Sequence, residues 1–353
     1  MPNMPASQKS LWDIAQKVNL ERDESLQPLG SQPKERTLII VGSKGVGKTT
    51  LIHRFLDRDE TAKQTLALEY TFGRKAGRSL VKDVCHIWEL GGGSLFTSLL
   101  SAPLAAADNL RNVTVVLVLD LSLPQQLWFT LESLVHGLLT ALRKEANSRV
   151  QHFVEALQSE AWLRVGRDNP DKEFMDPFPV PLVILGGKYD IFQDFDPDKK
   201  KVVCRTLRYV AHTLGASLQF YSIKESGLVK KAKDLLSHHG FGTPPVKSIS
   251  QDHNKPLLIP AGSDSMQQID GLGVLPSTKG PGAALDRWKH TFTTHFPQET
   301  SERTVMPEDP ARDTNFREPI IDALRAHKDD ELERFREESL RRQKYRRDLD
   351  WED

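Results

Sequence analysis

A glycine-rich segment with two lysines and three hydroxyl residues, GSKGVGKTT, matches the spacing GxxxxGK[ST]. It follows the apolar run TLIIV and precedes a helical pattern, which is the context in which this motif binds phosphate. Glycines let successive backbone N–H groups turn toward phosphate oxygens, and the following helix adds the positive end of its dipole. The sequence therefore predicts a phosphate-binding loop whose candidate residues are Gly42, Gly45, Gly47, Lys48, Thr49 and Thr50.

The lysine and the first threonine of this loop have separate predicted roles. Lys48 would reach the β and γ phosphates of a nucleotide, and the Thr49 hydroxyl would bind Mg²⁺. The alternative is a glycine-rich turn that holds no ligand, because a scaffold can keep the loop and lose the nucleotide. The predicted cofactor is GDP or GTP with Mg²⁺.

Two further segments stand where GTPases of the Ras and Rab type carry their switches. In KQTLALEYTF, Thr65 would complete the Mg²⁺ shell, although it could equally be an ordinary strand-opening threonine. In WELGGG, Glu89 replaces the aspartate that holds Mg²⁺ through water, and Gly92 corresponds to the glycine that meets the γ phosphate. Gly93 takes the place of the glutamine that orients the attacking water. Because glycine cannot orient water, we expect no enzymatic turnover.

The two segments that would read the base are LGGKYD and YSIKES. Lys188 and Asp190 match the GTPase pattern N-K-x-D, so the aspartate would accept from the guanine edge and the lysine stem would cover the ring. Gly187 replaces the asparagine of that pattern. The second segment stands where GTPases carry the pattern S-A-K, with Ser222 at its first position and Lys224 at its last. The base site is therefore predicted to be present but incomplete.

A competing interpretation uses a different acid. The run VVLVLD ends in Asp120, which would then be a Walker-B residue, as in nucleotide kinases or ATPases. Under that interpretation, the matches of the segments around Thr65, Asp190 and Ser222 to the GTPase pattern would be coincidental. The order of the motifs along the chain favours the GTPase type.

The elements that would position these residues predict an α/β fold. Short apolar runs alternate with longer amphipathic ones from about residue 36 to 240, which indicates a Ras-like P-loop domain with a mostly parallel sheet and helices on both faces. About sixty residues separate the fourth and fifth strands, and one leucine stripe recurs at helical spacing there. We therefore predict a helical insertion at about 125–175, with the stripe formed by Leu127, Leu131, Leu134, Leu138 and Leu142.

The flanking regions differ in composition from this domain. Residues 1–35 form a polar extension with a short helix candidate around residues 10–18. Residues 241–317 are rich in Pro, Gly, Ser and Asp and are predicted to be a linker, whose apolar run PLLIPAG could anchor on a surface or on a partner. Residues 318–353 are predicted to form a charged helix that is solvated or docked on a partner.

Charge and composition exclude several classes of protein. Lys plus Arg and Asp plus Glu both total 48, so no net charge attracts the chain to nucleic acid. The N-terminus lacks a continuous apolar segment, and the longest apolar run is too short to span a bilayer. We expect a soluble protein without membrane insertion. The two cysteines, Cys85 and Cys204, have no paired spacing and suit a reducing compartment.

Several idiosyncratic segments together resemble the dynein light intermediate chain family, across about residues 37–320. They include GSKGVGKTT, TLALEYTFGR, WELGGG, DPFPVPLVILGGKYDIFQDF and QDHNKPLLIPAGSDS. The resemblance implies a non-catalytic subunit of the dynein 2 motor, with a GTPase-like domain that packs on the heavy chain. It also implies that residues 241–317 take part in heavy-chain docking.

The same resemblance implies partners and locations. The partners would be the cytoplasmic dynein 2 heavy chain, the other dynein 2 subunits and, indirectly, intraflagellar transport particles. The role would be retrograde intraflagellar transport, cilium assembly and cilium length control. The locations would be the cytoplasm, the basal body or centrosome, and the cilium with its axoneme. An active GTP-dependent switch remains the alternative, because Lys48, Thr49 and Thr65 match the GTPase pattern.

Overall fold

The structure is a computed structural model that describes residues 35–76, 82–107, 109–149, 153–245, 248–270, 281–299 and 317–349. These residues form a domain built around a mixed sheet of seven strands. The strands are β1 (Glu35–Gly42), β2 (Leu68–Ala76), β3 (Lys82–Leu90), β4 (Val113–Asp120), β5 (Leu182–Gly187), β6 (Ser217–Phe220) and β7 (Leu258–Ile259). Their order in the sheet is β2-β3-β1-β4-β5-β6-β7. β2 and β7 run antiparallel to their neighbours, and the other pairs are parallel.

Helices cover both faces of the sheet. They are α1 (Lys48–Phe55), α2 (Ser101–Ala106), α3 (Pro124–Arg149), α4 (Phe153–Val165), α5 (Tyr189–Phe192), α6 (Pro197–Thr213), α7 (Ser226–Phe241), α8 (Met266–Asp270), α9 (Pro281–His295) and α10 (Pro319–Leu349). One face of the sheet packs against α1 and α7, and the other packs against α2, α3, α4, α6 and α9. The central strands β1 and β4 are buried on both faces, which is why they are continuous runs of Val, Ile and Leu.

The architecture confirms the predicted α/β fold and places the candidate site residues at one edge of the sheet. Since β1, β3, β4, β5 and β6 are parallel, their carboxyl ends meet at the same edge of the sheet. Helices α3 and α4 form the helical insertion, and the predicted leucine stripe is buried against the sheet. The insertion therefore belongs to the core of the domain.

The region predicted as a linker, residues 241–317, is part of the domain in its described stretches. β7 pairs with β6, so the run PLLIPAG lies on the chain's own sheet. In α9, Phe292 is completely buried against Trp128 of α3. The anchoring of PLLIPAG on a surface agrees with the prediction, whereas β7 and α9 are packed parts of the domain and not a linker. Composition reports local flexibility and does not reveal pairing partners that lie far away in sequence.

Helix α10 has a different environment from α9. Its apolar side chains are exposed, with Ile320 at 79% and Phe335 at 62% of their full accessible area. The pair Glu338 and Arg342 is joined at 2.7 Å on its surface. The helix candidate at residues 10–18 lies outside the described residues. None of the helices in the described ranges has the length and hydrophobicity that a membrane span requires.

Candidate nucleotide site

The loop between β1 and α1 has the backbone of a phosphate-binding loop. Gly42 has a φ of 148°, and a Cβ there would lie 1.9 Å from the carbonyl oxygen of Val118. Gly47 caps α1 in the left-handed region with a φ of 94°. Neither position accepts a side chain without distortion. Gly45 is also left-handed and exposed, and Thr50 follows in the first turn of α1.

The loop lysine is folded back over its own loop. The Lys48 side chain is only 5% exposed, and its Nζ donates to the carbonyl oxygens of Gly42 and Ser43 at 3.1 and 3.0 Å. The positive charge is thereby held inside the curve of the loop. This is the position from which an ammonium group can neutralise phosphate oxygens.

The three predicted metal ligands lie together. Thr49 Oγ1 donates to Glu89 Oε1 at 2.9 Å and lies 3.4 Å from Thr65 Oγ1. Glu89 is 4% exposed, and its burial raises the pKa of this carboxyl, although the Thr49 hydrogen bond and the charge of Lys48 oppose that shift. Hydroxyl and carboxylate oxygens are the ligands that Mg²⁺ prefers. This cluster therefore has the chemistry of a magnesium site.

The site contains a further carboxylate, that of Glu69, which the sequence motifs did not predict. Thr65 Oγ1 donates to Glu69 Oε2 at 3.0 Å, and Glu69 lies directly opposite Glu89 in the antiparallel pair of β2 and β3. The strand register was the signal that could have found it. No group of three His, Cys, Asp or Glu side chains suited to a metal occurs among the described residues, so the threonine hydroxyls are needed to complete this site.

The predicted base-reading residues also meet. Asp190 Oδ1 accepts from Ser222 Oγ at 2.8 Å, and Asp190 Oδ2 pairs with Lys224 Nζ at 2.7 Å. The hydrogen bond from Lys224, followed by that from Ser222, lowers the pKa of Asp190 against the effect of burial. An ionised carboxylate is therefore available at the edge where a guanine ring would donate.

Lys188 and Asp120 form an ion pair beside this group. Lys188 adopts a left-handed backbone with a φ of 58°, and its Nζ lies 2.6 Å from Asp120 Oδ2. Asp120 Oδ1 accepts from Ser122 Oγ. Since Thr49 donates to Glu89, the acid at the loop threonine is Glu89. The Walker-B interpretation of Asp120 therefore does not fit the geometry.

Two of the glycines at the site are enclosed by neighbouring side chains. A Cβ on Gly187 would lie 2.8 Å from Val46 Cγ2, and a Cβ on Gly92 would lie 2.7 Å from the ring of Phe96. Gly92 and Gly93 both have positive φ, at 69° and 63°. The packing around Gly187 therefore occupies the space that a GTPase asparagine would need.

We expect Gly187→Asn to lower the free energy of unfolding by about 1–3 kcal/mol, because the new side chain overpacks against Val46. Chemical denaturation measures this change. Adding Val46→Ala to the same chain should recover part of the loss. Gly227→Ala is the control, since a Cβ there meets nothing within 4 Å. An unchanged stability for Gly187→Asn would show that the site tolerates the asparagine.

The sheet order, the glycine-rich loop after β1, and the positions of Thr65, Glu89, Asp190 and Ser222 at the same edge of the sheet define a Ras-like P-loop domain. The crystal structure of the dynein light intermediate chain's conserved domain has the same fold, with a TM-score of 0.53 at 20% identity, covering 76% of this chain and 93% of that one. At that identity the likeness concerns the fold alone.

Sequence comparisons identify the family. The model of the Dynein light intermediate chain (DLIC) family matches residues 9–155. Cytoplasmic dynein 2 light intermediate chain 1 of Danio rerio is 44% identical over 358 residues, covering 95% of this chain and 96% of that protein. The Homo sapiens protein of the same name is 42% identical over 343 residues, covering 94% and 96%. The chain belongs to the dynein light intermediate chain family, as its sequence motifs predicted.

Proposed function

We propose that this chain is the light intermediate subunit of the dynein 2 motor. The observation that carries the proposal is the identity of 42–44%, over at least 94% of both chains, to proteins named for that role. The subunit would bind the dynein 2 heavy chain and the other dynein 2 subunits, and intraflagellar transport particles indirectly. It would act in retrograde intraflagellar transport, cilium assembly and cilium length control. Its locations would be the cytoplasm, basal body or centrosome, and ciliary axoneme.

The geometry of the site supports a structural use of nucleotide. The loop glycines and Lys48 would hold the phosphates of GDP or GTP, while Thr49, Thr65 and Glu89 would hold Mg²⁺, which neutralises phosphate charge. Hydrolysis by this machinery is slow even with its glutamine, at about 10⁻⁴ per second. Gly93 provides no side chain to orient water. The bound nucleotide would therefore support the loop and would not be turned over.

An active GTP-dependent switch is the second candidate. The cluster of Thr49, Thr65 and Glu89 favours it, because a threonine placed before β2 within 3.4 Å of the loop threonine is suited to sense a γ phosphate through the metal. The enclosed Gly187 and the missing glutamine at Gly93 favour the structural role.

Affinity purification of the tagged full-length chain from ciliated cells tests the subunit role. We expect the dynein 2 heavy chain to copurify with the wild-type chain and with Lys48→Ala. Mass spectrometry of released nucleotide should find guanine nucleotide in the wild type and little or none in Lys48→Ala, because the lysine neutralises the phosphates. The control is Lys44→Ala, which removes an exposed lysine of the same loop and should retain the nucleotide.

Three outcomes would contradict these proposals separately. Recovery of the dynein 1 heavy chain alone, or of no heavy chain, would reject the dynein 2 role. GTP turnover above about 10⁻³ per second that is lost in Lys48→Ala would establish the switch instead. A wild-type chain that copurifies with the heavy chain but carries no nucleotide would show that the loop no longer binds nucleotide.

A further inference from the structure

A cavity lies at the amino ends of the parallel strands, on the side of the sheet opposite the carboxyl ends where the glycine-rich loop lies. Its volume is about 540 Å³, and its wall includes Arg36 at the start of β1, Thr114 at the start of β4, Leu182 at the start of β5 and Ser217 at the start of β6. The end of α7 and the strand β7 complete the wall. This volume lies within the range of about 300–1,000 Å³ that small-molecule sites occupy.

A buried glutamine in this wall has no partner. Gln219 is 2% exposed, and neither Oε1 nor Nε2 of its amide has a hydrogen-bond partner among the described residues. Its neighbours Leu218 and Phe220 belong to the core cluster on one face of the sheet, and Gln219 lines the cavity. Leaving a buried polar group unpaired costs about 1–3 kcal/mol. A leucine would fill the same position without that cost, so the amide points to a bound ligand.

Three guanidinium groups line the same cavity, and its described lining contains no carboxylate. Arg36 donates to the carbonyl oxygens of His238 and His239, and Arg164 donates to those of Phe178 and Pro179. The third guanidinium, that of Arg111, pairs at 2.8 Å with Glu160, which lies outside the lining. Positive charge therefore exceeds negative charge around the cavity.

The histidine beside these groups adds no charge of its own. Burial, followed by the charges of His238, Arg36 and Arg164, lowers the pKa of His239 to about 3. His239 Nδ1 lies 3.4 Å from Thr114 Oγ1, which also lines the cavity. At neutral pH the ring is therefore an uncharged polar group next to the arginines.

We propose that this cavity binds a small organic phosphate. A guanidinium group can donate two parallel hydrogen bonds to two oxygens of one phosphate. Arg36, Arg111 and Arg164 would therefore bind the anionic group. The Gln219 amide would hydrogen-bond the neutral body of the ligand, which would rest on the apolar wall that includes Ile259. The ligand could be a free metabolite or the headgroup of a phosphorylated lipid, since both present the same chemistry.

Isothermal titration calorimetry on the full chain carrying Lys48→Ala tests this site without binding at the phosphate loop. The probes are inorganic phosphate, glucose 6-phosphate, AMP and inositol 1,4,5-trisphosphate. We expect at least one organic probe to bind, and its affinity to fall about tenfold or more with Gln219→Leu and with Arg111→Gln. The control Gln267→Leu changes an exposed glutamine of α8 and should bind as the parent does.

A vesicle arm distinguishes the two sources of ligand. Cosedimentation compares phosphatidylcholine vesicles with vesicles that also contain a phosphoinositide. Vesicle binding that Gln219→Leu weakens would assign a lipid headgroup, and binding of soluble probes alone would assign a free metabolite. Absence of binding in both arms would overturn the proposal. Binding that neither Gln219→Leu nor Arg111→Gln weakens would also overturn it, because the ligand would then lie elsewhere.

Discussion

Replacing Asp264 by alanine is expected to lower the free energy of unfolding by about 3–5 kcal/mol. Asp264 Oδ2 and Oδ1 accept from Arg208 Nε and Nη2 at 2.8 and 2.7 Å, and both side chains are buried. Without the carboxylate, the guanidinium of α6 stays in the interior with its charge uncompensated. Urea denaturation of the purified chain measures the loss.

An exposed ion pair on α10 provides the control for this result. Arg342 Nη2 lies 2.7 Å from Glu338 Oε1, and both side chains are mostly exposed. Arg342→Ala should therefore change the free energy of unfolding by less than about 1 kcal/mol. If Asp264→Ala cost no more than Arg342→Ala, the Arg208 pair would not hold this segment on the domain. The expected difference would show that residues near Asp264 are ordered without a partner protein.

Phe292→Ala is expected to cost about 3–5 kcal/mol as well, because it leaves a cavity between α9 and the insertion. The Phe292 ring is completely buried, with its centroid 5.9 Å from that of Trp128 and 5.2 Å from that of Phe296. Thermal and urea denaturation should both show the loss. Limited proteolysis should then cut near α9 sooner than in the wild-type chain, since the helix loses its main anchor.

The matched control for Phe292 is the exposed phenylalanine of α10. Phe335 is 62% exposed, so Phe335→Ala should change the free energy of unfolding by about 0.5 kcal/mol at most. Equal effects of the two substitutions would contradict the assignment of α9 to the core. The expected contrast would separate α9, which belongs to the domain, from α10, whose apolar side chains remain available on its surface.

Much of the candidate site could be predicted because its signals are local. The phosphate loop is one continuous segment, and a strand, a glycine-rich turn and a helix follow one another without any long-range contact. Glu89, Asp190 and Ser222 each stand at or just after the carboxyl end of a predicted strand, and parallel strands bring those ends to one edge. Thr65 precedes β2, and the antiparallel direction of β2 brings it to the same edge. The ionised Asp190, held by Ser222 and Lys224, follows from that arrangement.

Other features depend on pairings that a local pattern does not contain. Glu69 joins the group of Thr49, Thr65 and Glu89 only through its register opposite Glu89. The Gln298 amide contacts the start of α3, where its Oε1 accepts from the backbone N–H of Trp128 at 3.1 Å and its Nε2 donates to the Pro124 carbonyl at 3.1 Å. These partners are separated by about 170 residues in the chain. No spacing rule connects them.

The sequence by itself indicated the glycine-rich loop after β1, the order of the site segments and the α/β fold, because short-range spacing and apolar periodicity encode these. Its resemblance to known proteins in several idiosyncratic segments indicated the family. Only the tertiary structure decided that β7 and α9 belong to the domain, that Val46 fills the space beside Gly187, and that Gln219 is left unpaired in a cationic cavity. The physical reason is that burial and pairing are properties of surfaces that meet in space. A composition typical of a linker is compatible with either outcome until those surfaces pack.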